Sequence, residues 1–407
     1  MVSRARWTLM AQFAVFGVLG TSWMSRLPSI RADLGLSAAE LGGLLVVGGA
    51  GTLAAVMVTG AVVARLGSRT TLVVATVGNV LGFGLVAAAT TTGEVALFAL
   101  GACLNGMCGA LTNVPININA AAVERAIGRA VLPHFHAAFS IGAAVGALLA
   151  AGFAWTGSPV AVQLAVVTGA VTLARALLIG PSTALAPERA PRAGADGRRG
   201  AGARGALGAW REPRTLLIGL VLLAASLSEG SAGTWMALAV VDGFAARESV
   251  GAVAYGTFVG AMTVVRFLGT GLIDRFGRVT VLRVSGVSAL VGLLAFGLAP
   301  SLPLAWVGIV AWGCGAALAN PIAISAASDE PVHAAARVAV ASSFSTVAML
   351  AAPPLLGLLA DGVGVRTALL TICGAAVLSL ALAGQVRPPA TSTAPAPAAD
   401  RDARAEG

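Results

Sequence analysis

The sequence predicts an all-α polytopic membrane protein with twelve transmembrane helices in two six-helix bundles. Three observations predict it. The 407 residues are 57% hydrophobic and only 11% charged, with a mean hydropathy of +0.89, which no ordinary water-soluble domain matches. Twelve apolar runs each reach the roughly 20 helical residues that cross a hydrocarbon core of about 30 Å. Landmarks in the first half also recur in order about 210 residues later, the mark of an internal repeat.

The runs lie near residues 7–25, 39–63, 70–91, 95–120, 134–156 and 160–180, then 215–241, 249–273, 279–299, 302–327, 337–360 and 366–386. Length, richness in Ala, Leu and Gly, and the lack of ten-residue alternation make them helices rather than barrel strands. The first run is too long for a signal-peptide core and lacks a clear cleavage site, so it is expected to be retained. The stretch 186–214, rich in Arg, Gly, Ala and Pro, reads as a flexible cytoplasmic linker. It separates a bundle over 1–185 from one over 215–386, and residues 387–407 read as a low-complexity, disordered tail.

Every basic residue is Arg, and the arginines sort by side. With the N-terminus in the cytoplasm, the inner loops and termini receive most of them, while only Arg26, Arg31, Arg247 and Arg366 fall outside. That asymmetry predicts a multi-pass protein of the cell membrane with both termini cytoplasmic. The net charge of +9 therefore reports topology and not a nucleic-acid partner. Arg175, near the inner end of the sixth run, is expected to snorkel, whereas Arg266 lies inside the eighth. Cys103, Cys108, Cys314 and Cys373 sit in apolar runs without metal-ligand or C-x-x-C spacing, so they read as reduced packing residues, and no metal or cofactor is implied.

The repeat is visible residue by residue. "VVARLGSRTTLV" at 62–73 is answered by "LIDRFGRVTVLR" at 272–283, "ALTNVPI" at 110–116 by "ALANPI" at 317–322, and "AAFS" at 137–140 by "SSFS" at 342–345. With these motifs the chain resembles the major facilitator superfamily of secondary transporters from residue 7 to about 386. The superfamily's G-x-x-x-D-R-x-G-R-R loop follows the second helix and recurs after the eighth. Here the first copy is Gly60, Arg65, Gly67 and Arg69, with Ala64 in place of Asp; the second keeps Asp274, Arg275, Gly277 and Arg278, with Thr270 in place of the leading Gly. The resemblance implies a conformational latch at these loops, with Asp274 and Arg275 mattering most. The pattern over 113–140, including "FHAAFS", also looks like a poorly characterised bacterial branch with presumed sugar permeases.

Mid-membrane polar residues are the candidate site. Glu229 falls about 21 Å from the inner end of the seventh helix at 1.5 Å per residue. A carboxylate there must face water, pair with a cation or be protonated, any of which suits solute binding or proton coupling. Arg266 lies roughly 12 Å deep by the same rise, a mismatch that counts against direct pairing. Asn105, Thr112 and Asn119 form a polar stripe on the fourth helix with Asn113 and Asn117 beside it, which suits either a hydroxylated ligand or contacts between helices. Asn320 is the counterpart in the tenth helix, and Pro115 and Pro321 free backbone carbonyls next to these amides. His136 reads as an interfacial hydrogen-bonding residue or a proton relay, and the Gly142/Gly146 and Gly256/Gly260 pairs as helix-packing positions.

These readings favour secondary active transport of a small organic solute by alternating access, with protons the candidate coupling ion and a slight preference for a sugar-like polar solute. Export of drug-like amphiphiles is the alternative, and a receptor or scaffold without transport a remote one. No phosphate-binding loop and no catalytic cluster is present in the sequence, so an enzyme is not expected. The expected partners are the solute, protons and the lipid bilayer, with a monomer as the unit.

Overall fold

The computed structural model describes residues 1–128, 131–185, 208–330 and 334–388, and among these no strand occurs. The segments 186–207 and 389–407 of the expected linker and tail lie outside the described residues. The helices are α1 (Val2–Met24), α2 (Leu27–Asp33), α3 (Ala38–Thr92), α4 (Val95–Ile127), α5 (Leu132–Trp155), α6 (Val160–Ser182), α7 (Pro213–Phe244), α8 (Glu248–Phe276), α9 (Arg278–Leu298), α10 (Leu302–Ala316), α11 (Ala319–Ala327), α12 (Ala334–Val363), α13 (Val365–Leu369) and α14 (Cys373–Leu382). Ten segments among the described residues are long and apolar enough to cross a membrane, with α10 running into α11 and α13 into α14. One is α3, whose 55 residues cross twice because the helix breaks at Gly67, and the 23-residue α1 completes twelve crossings.

The break is made by backbone conformation. Gly67 has φ 79° and ψ 162°, and Gly277, at the matching place between α8 and α9, has φ 76° and ψ 156°. Both values lie where a Cβ is strongly disfavoured, so glycine at these two positions turns the chain at the end of a span. The recurrence of the same turn in both halves is the structural form of the sequence repeat.

Helices α1 to α6 pack mainly on one another, as do α7 to α14, and the two groups meet chiefly where α3 lies on α12 and α5 on α8. Small residues set the closest approaches. A Cβ on Gly142 would overlap the Ala14 carbonyl and one on Gly146 would lie 2.6 Å from the Val18 carbonyl, so α5 seats against α1 through its glycines. Gly256 would place a Cβ 3.2 Å from that of Ala147, across α8 and α5, whereas Gly260 faces open space and packs nothing. The apolar surface left outside, including Val77, Leu81, Leu173, Leu177, Val284 and Val291, is the face toward lipid.

Two expectations are corrected. Residues 208–214, assigned to the flexible linker, are anchored at particular points: Ala209 is buried, the Trp210 ring lies 5.9 Å from that of Phe344, and Glu212 pairs with Arg337. Arg175 does not snorkel. It is 2% exposed and its Nη1 donates to Asn79 Oδ1 at 2.9 Å, because α6 turns this face toward α3 rather than toward the membrane surface.

Candidate functional site: a charged pair between α7 and α8

The end of the molecule carrying residues 2 and 387 is called the basic end here, and the opposite one the far end. Glu229 lies on the middle of α7 and Arg266 on α8, and their side chains meet: Arg266 Nη2 donates to Glu229 Oε2 at 2.9 Å. Asn320 Nδ2 donates to the same oxygen at 3.1 Å, bringing α11 into the cluster. The depth argument against this pair fails because the long guanidinium stem spans the offset between the two Cα positions. Both side chains remain about one-third exposed, 32% for Glu229 and 31% for Arg266, so the pair borders open space.

The sequence builds this cluster from a break in the tenth span. Pro321 has no N–H to give to the carbonyl four residues earlier, that of Ala317, and the helix is interrupted between Ala316 and Ala319. The freed Ala317 oxygen accepts from Arg266 Nε at 3.1 Å. Proline thus creates the acceptor that fixes the cation, and neighbouring Asn320 supplies a donor to the anion. Trp312, fully buried on α10, donates from Nε1 to Ser228 Oγ at 2.8 Å and holds α7 in register beside Glu229.

On the other group, Asn113 is exposed and Asn117 partly so, and Asn117 Nδ2 donates to the Asn113 carbonyl at 2.8 Å and to its Oδ1 at 2.9 Å. Amides at this depth would be costly against lipid, so they border a water-filled gap. His136, exposed on α5, lies within electrostatic range of Arg266 across that gap. Tyr255 on α8 is likewise within range of both Glu229 and Arg266. Sequence reasoning missed Tyr255; that it is the sole tyrosine, about three turns from Arg266 on the same face of the helix, was the available signal.

Asn105 and Thr112 do not belong to this wall. Asn105 is buried and accepts from Asn79 Nδ2 at 3.1 Å, extending the chain that ends on Arg175, while the Thr112 hydroxyl is spent on the Cys108 carbonyl of its own helix at 2.9 Å. The stripe with Asn119 points into the first group, and the residues beside it face the gap.

The latch loops also divide. In the second copy Arg278 pairs with Asp329 at 2.6 Å and donates to Ser325 Oγ at 2.9 Å, and Asp329 also pairs with Arg214 at 2.9 Å. Asp274 and Arg275, expected to matter most, are exposed, and Arg275 stacks over Phe276 at 5.2 Å. They lie on the outward side of the last turn of α8, while Arg278, past the Gly277 turn, is aimed at the end of α11. In the first copy Arg65 and Arg69 are exposed, and Gly60, whose Cβ position is open, has no steric need to be glycine.

Twelve spans in a twofold repeat, with a charged cluster at mid-depth, form an architecture that a family model describes: the Major Facilitator Superfamily model matches residues 8–338. The chain belongs to that superfamily. It is a multi-pass membrane transporter and not an enzyme. The transporter is 32% identical over 357 residues to an uncharacterised transporter, y4wD, of Sinorhizobium fredii, covering 88% of this chain and 91% of that one. Among solved structures it resembles the nucleoside transporter NupG, with a TM-score of 0.71 at 16% identity, over 94% of this chain and 98% of that one. It resembles a D-xylose-proton symporter with a TM-score of 0.67 at 12% identity, over 93% and 97%. At such identities the transporter shares the fold of these proteins.

Proposed function

We propose that the transporter moves a small, polar, sugar-like solute across the cell membrane by alternating access, coupled to protons through Glu229. The observation that carries this reading is the half-open Glu229–Arg266 pair at mid-depth, with Asn320 on the same carboxylate. While Glu229 is ionised, the pair ties α7 to α8 and occupies the Asn320 amide. Protonation removes the charge that holds them, releasing a guanidinium and an amide to bind hydroxyl oxygens. Asn113, Asn117 and His136 form the facing wall and offer further donors and acceptors to a hydroxylated solute. A nucleoside and D-xylose, named for NupG and the symporter, are hydroxylated solutes, which supports this class. With the basic end taken as cytoplasmic from the arginine distribution, and the polar contacts between the helix groups at the far end, the site is read as open toward the cytoplasm.

The test is flux in proteoliposomes with a panel of pentoses, hexoses, polyols and nucleosides. Glu229→Gln, a mimic of the protonated form, is expected to abolish accumulation driven by a pH gradient while retaining solute exchange. Accumulation against a gradient by a folded Glu229→Gln protein would rule out the coupling role. Loss of exchange together with coupled flux would reassign Glu229 as a direct solute ligand.

A further inference from the structure

The hydrogen bonds and ion pairs that join the two helix groups among the described residues gather at the far end. Arg26, 3% exposed in the turn after α1, pairs through Nε with Glu248 Oε2 at 2.9 Å, and its Nη1 and Nη2 donate to Gln163 Oε1 and the Ser158 carbonyl, both at 2.9 Å. Glu248, the first residue of α8, also accepts from the Ser29 backbone N–H at 3.0 Å and from the Ser29 hydroxyl. Around this hub, Arg31 pairs with Asp242 at 2.6 Å and Arg247 stacks over Trp155 at 4.7 Å.

A second junction lies at the start of α3. Ser37 and Glu40 form a capping box that takes up the Glu40 and Ser37 N–H groups. The two N–H groups between them are taken from the other helix group: Ala38 N donates to Asp361 Oδ1 at 2.8 Å and Ala39 N to Asp361 Oδ2 at 3.1 Å. The first turn of α3 is thus completed by a carboxylate on α12, where the helix dipole favours negative charge. Below it the backbones touch through glycine, since a Cβ on Gly42 would overlap the Pro353 carbonyl and one on Gly357 would lie 2.5 Å from that of Ala38.

We propose that Glu248 and Asp361 are the two bolts of a lock that holds the far end shut. Each carboxylate of the second group meets groups of the first that have no such partner within their own group: the Arg26 charge and the Ser29 N–H in one case, the opening N–H groups of α3 in the other. Opening the far end must part all of them at once and leave water to take their place. The pair therefore sets the balance between the two access states, with Glu248 the stronger bolt because its loss strands a buried cation. The lock rests on the alternating-access reading and on the arginine-based orientation, but its test needs no solute.

The test uses cysteine labelling in a background where the four native cysteines are alanine. Ala252 on α8, fully buried against Ala150 and Ala151, reports far-end opening when changed to Cys, and Asn117→Cys reports the gap at the basic end. Both are labelled with a membrane-impermeant maleimide in right-side-out and inside-out vesicles. Glu248→Gln should raise far-end labelling roughly tenfold and Asp361→Asn several-fold, with a matching fall at residue 117. Adding Arg26→Gln to Glu248→Gln should bring far-end labelling back toward the starting rate, because it removes the stranded charge. If Glu248→Gln does not accumulate in the membrane, Ser29→Ala and Asp361→Asn, which leave the Arg26 pair intact, answer in its place. Unchanged labelling at both reporters in the folded variants overturns the lock, whatever the solute proves to be.

Discussion

At the scale of single residues, the first helix group buries a cation that carries no countercharge among its hydrogen-bond partners. Arg175 bonds Asn79, which bonds Asn105, and both asparagines are at least nine-tenths buried. Removing Asn79 leaves a buried charge without its partner, whereas removing Arg175 leaves only the neutral Asn79 Oδ1 without a donor, which costs less. Asn79→Leu is therefore expected to destabilise the protein by about 2–4 kcal/mol, and Arg175→Met by clearly less, as read from thermal unfolding in detergent. Equal losses would mean that packing at this site, and not the hydrogen-bond chain, carries the stability. None of this chain was legible in the sequence, where Arg175 looks like an interfacial anchor and Asn105 like a solute ligand. Which side of a helix faces a neighbour is decided by rotation about its axis, and an all-apolar span gives little pattern from which to read that rotation.

At the scale of elements, two short features position everything else. The first is the glycine turn. Gly67→Ala and Gly277→Ala each force a Cβ into a disfavoured backbone region and should cost about 1–3 kcal/mol each. Gly60→Ala, at an open helical position, should cost nothing measurable, and a thermal shift at Gly60 equal to that at Gly67 would refute the assignment. The second is Pro321. Pro321→Ala restores an N–H that can close on the Ala317 carbonyl, taking from Arg266 its 3.1 Å acceptor. The variant should fold normally yet lose most solute flux, because the guanidinium is no longer held against Glu229. Undiminished flux would separate the proline from the site. Both features were visible beforehand, since glycine and proline act through backbone geometry that the residue type dictates. Which carbonyl Pro321 frees follows from counting; which cation takes it does not.

At the scale of the whole molecule, one asymmetry governs access. The junctions among described residues lie at the far end, while Asn113, His136 and the Glu229–Arg266 pair border open space. A reagent entering from the basic end should therefore reach Asn117→Cys in the resting protein, and a transported solute in excess should slow that labelling. Reaction from the opposite side alone would reverse the orientation read from the arginines. Arg278, Asp329 and Arg214 connect α9, α11 and α7 within one group, so Asp329→Asn should lower the stability of that group more than it changes which face is open. A larger effect on access than on melting would assign the latch to these residues.

The sequence by itself determined the class of the molecule, the number of crossings, the repeat and the family. Each follows from quantities summed along the chain: apolar length against bilayer thickness, arginine counts per loop, and motifs that recur in order. It also named Glu229, Arg266 and Asn320, because a polar residue inside an apolar run is costly enough to stand out. Only the tertiary structure decided that Glu229 and Arg266 meet despite their offset, that Asn113 and Asn117 are left open while Asn105 and Thr112 are buried, and that Arg278 pairs with Asp329 while Asp274 is exposed. It alone joined Glu248 to Arg26 and Asp361 to the start of α3, partners separated by more than half the chain. The physical reason is that a pairwise contact depends on the rotation and tilt of two helices at once, and neither is written in the local pattern of either one.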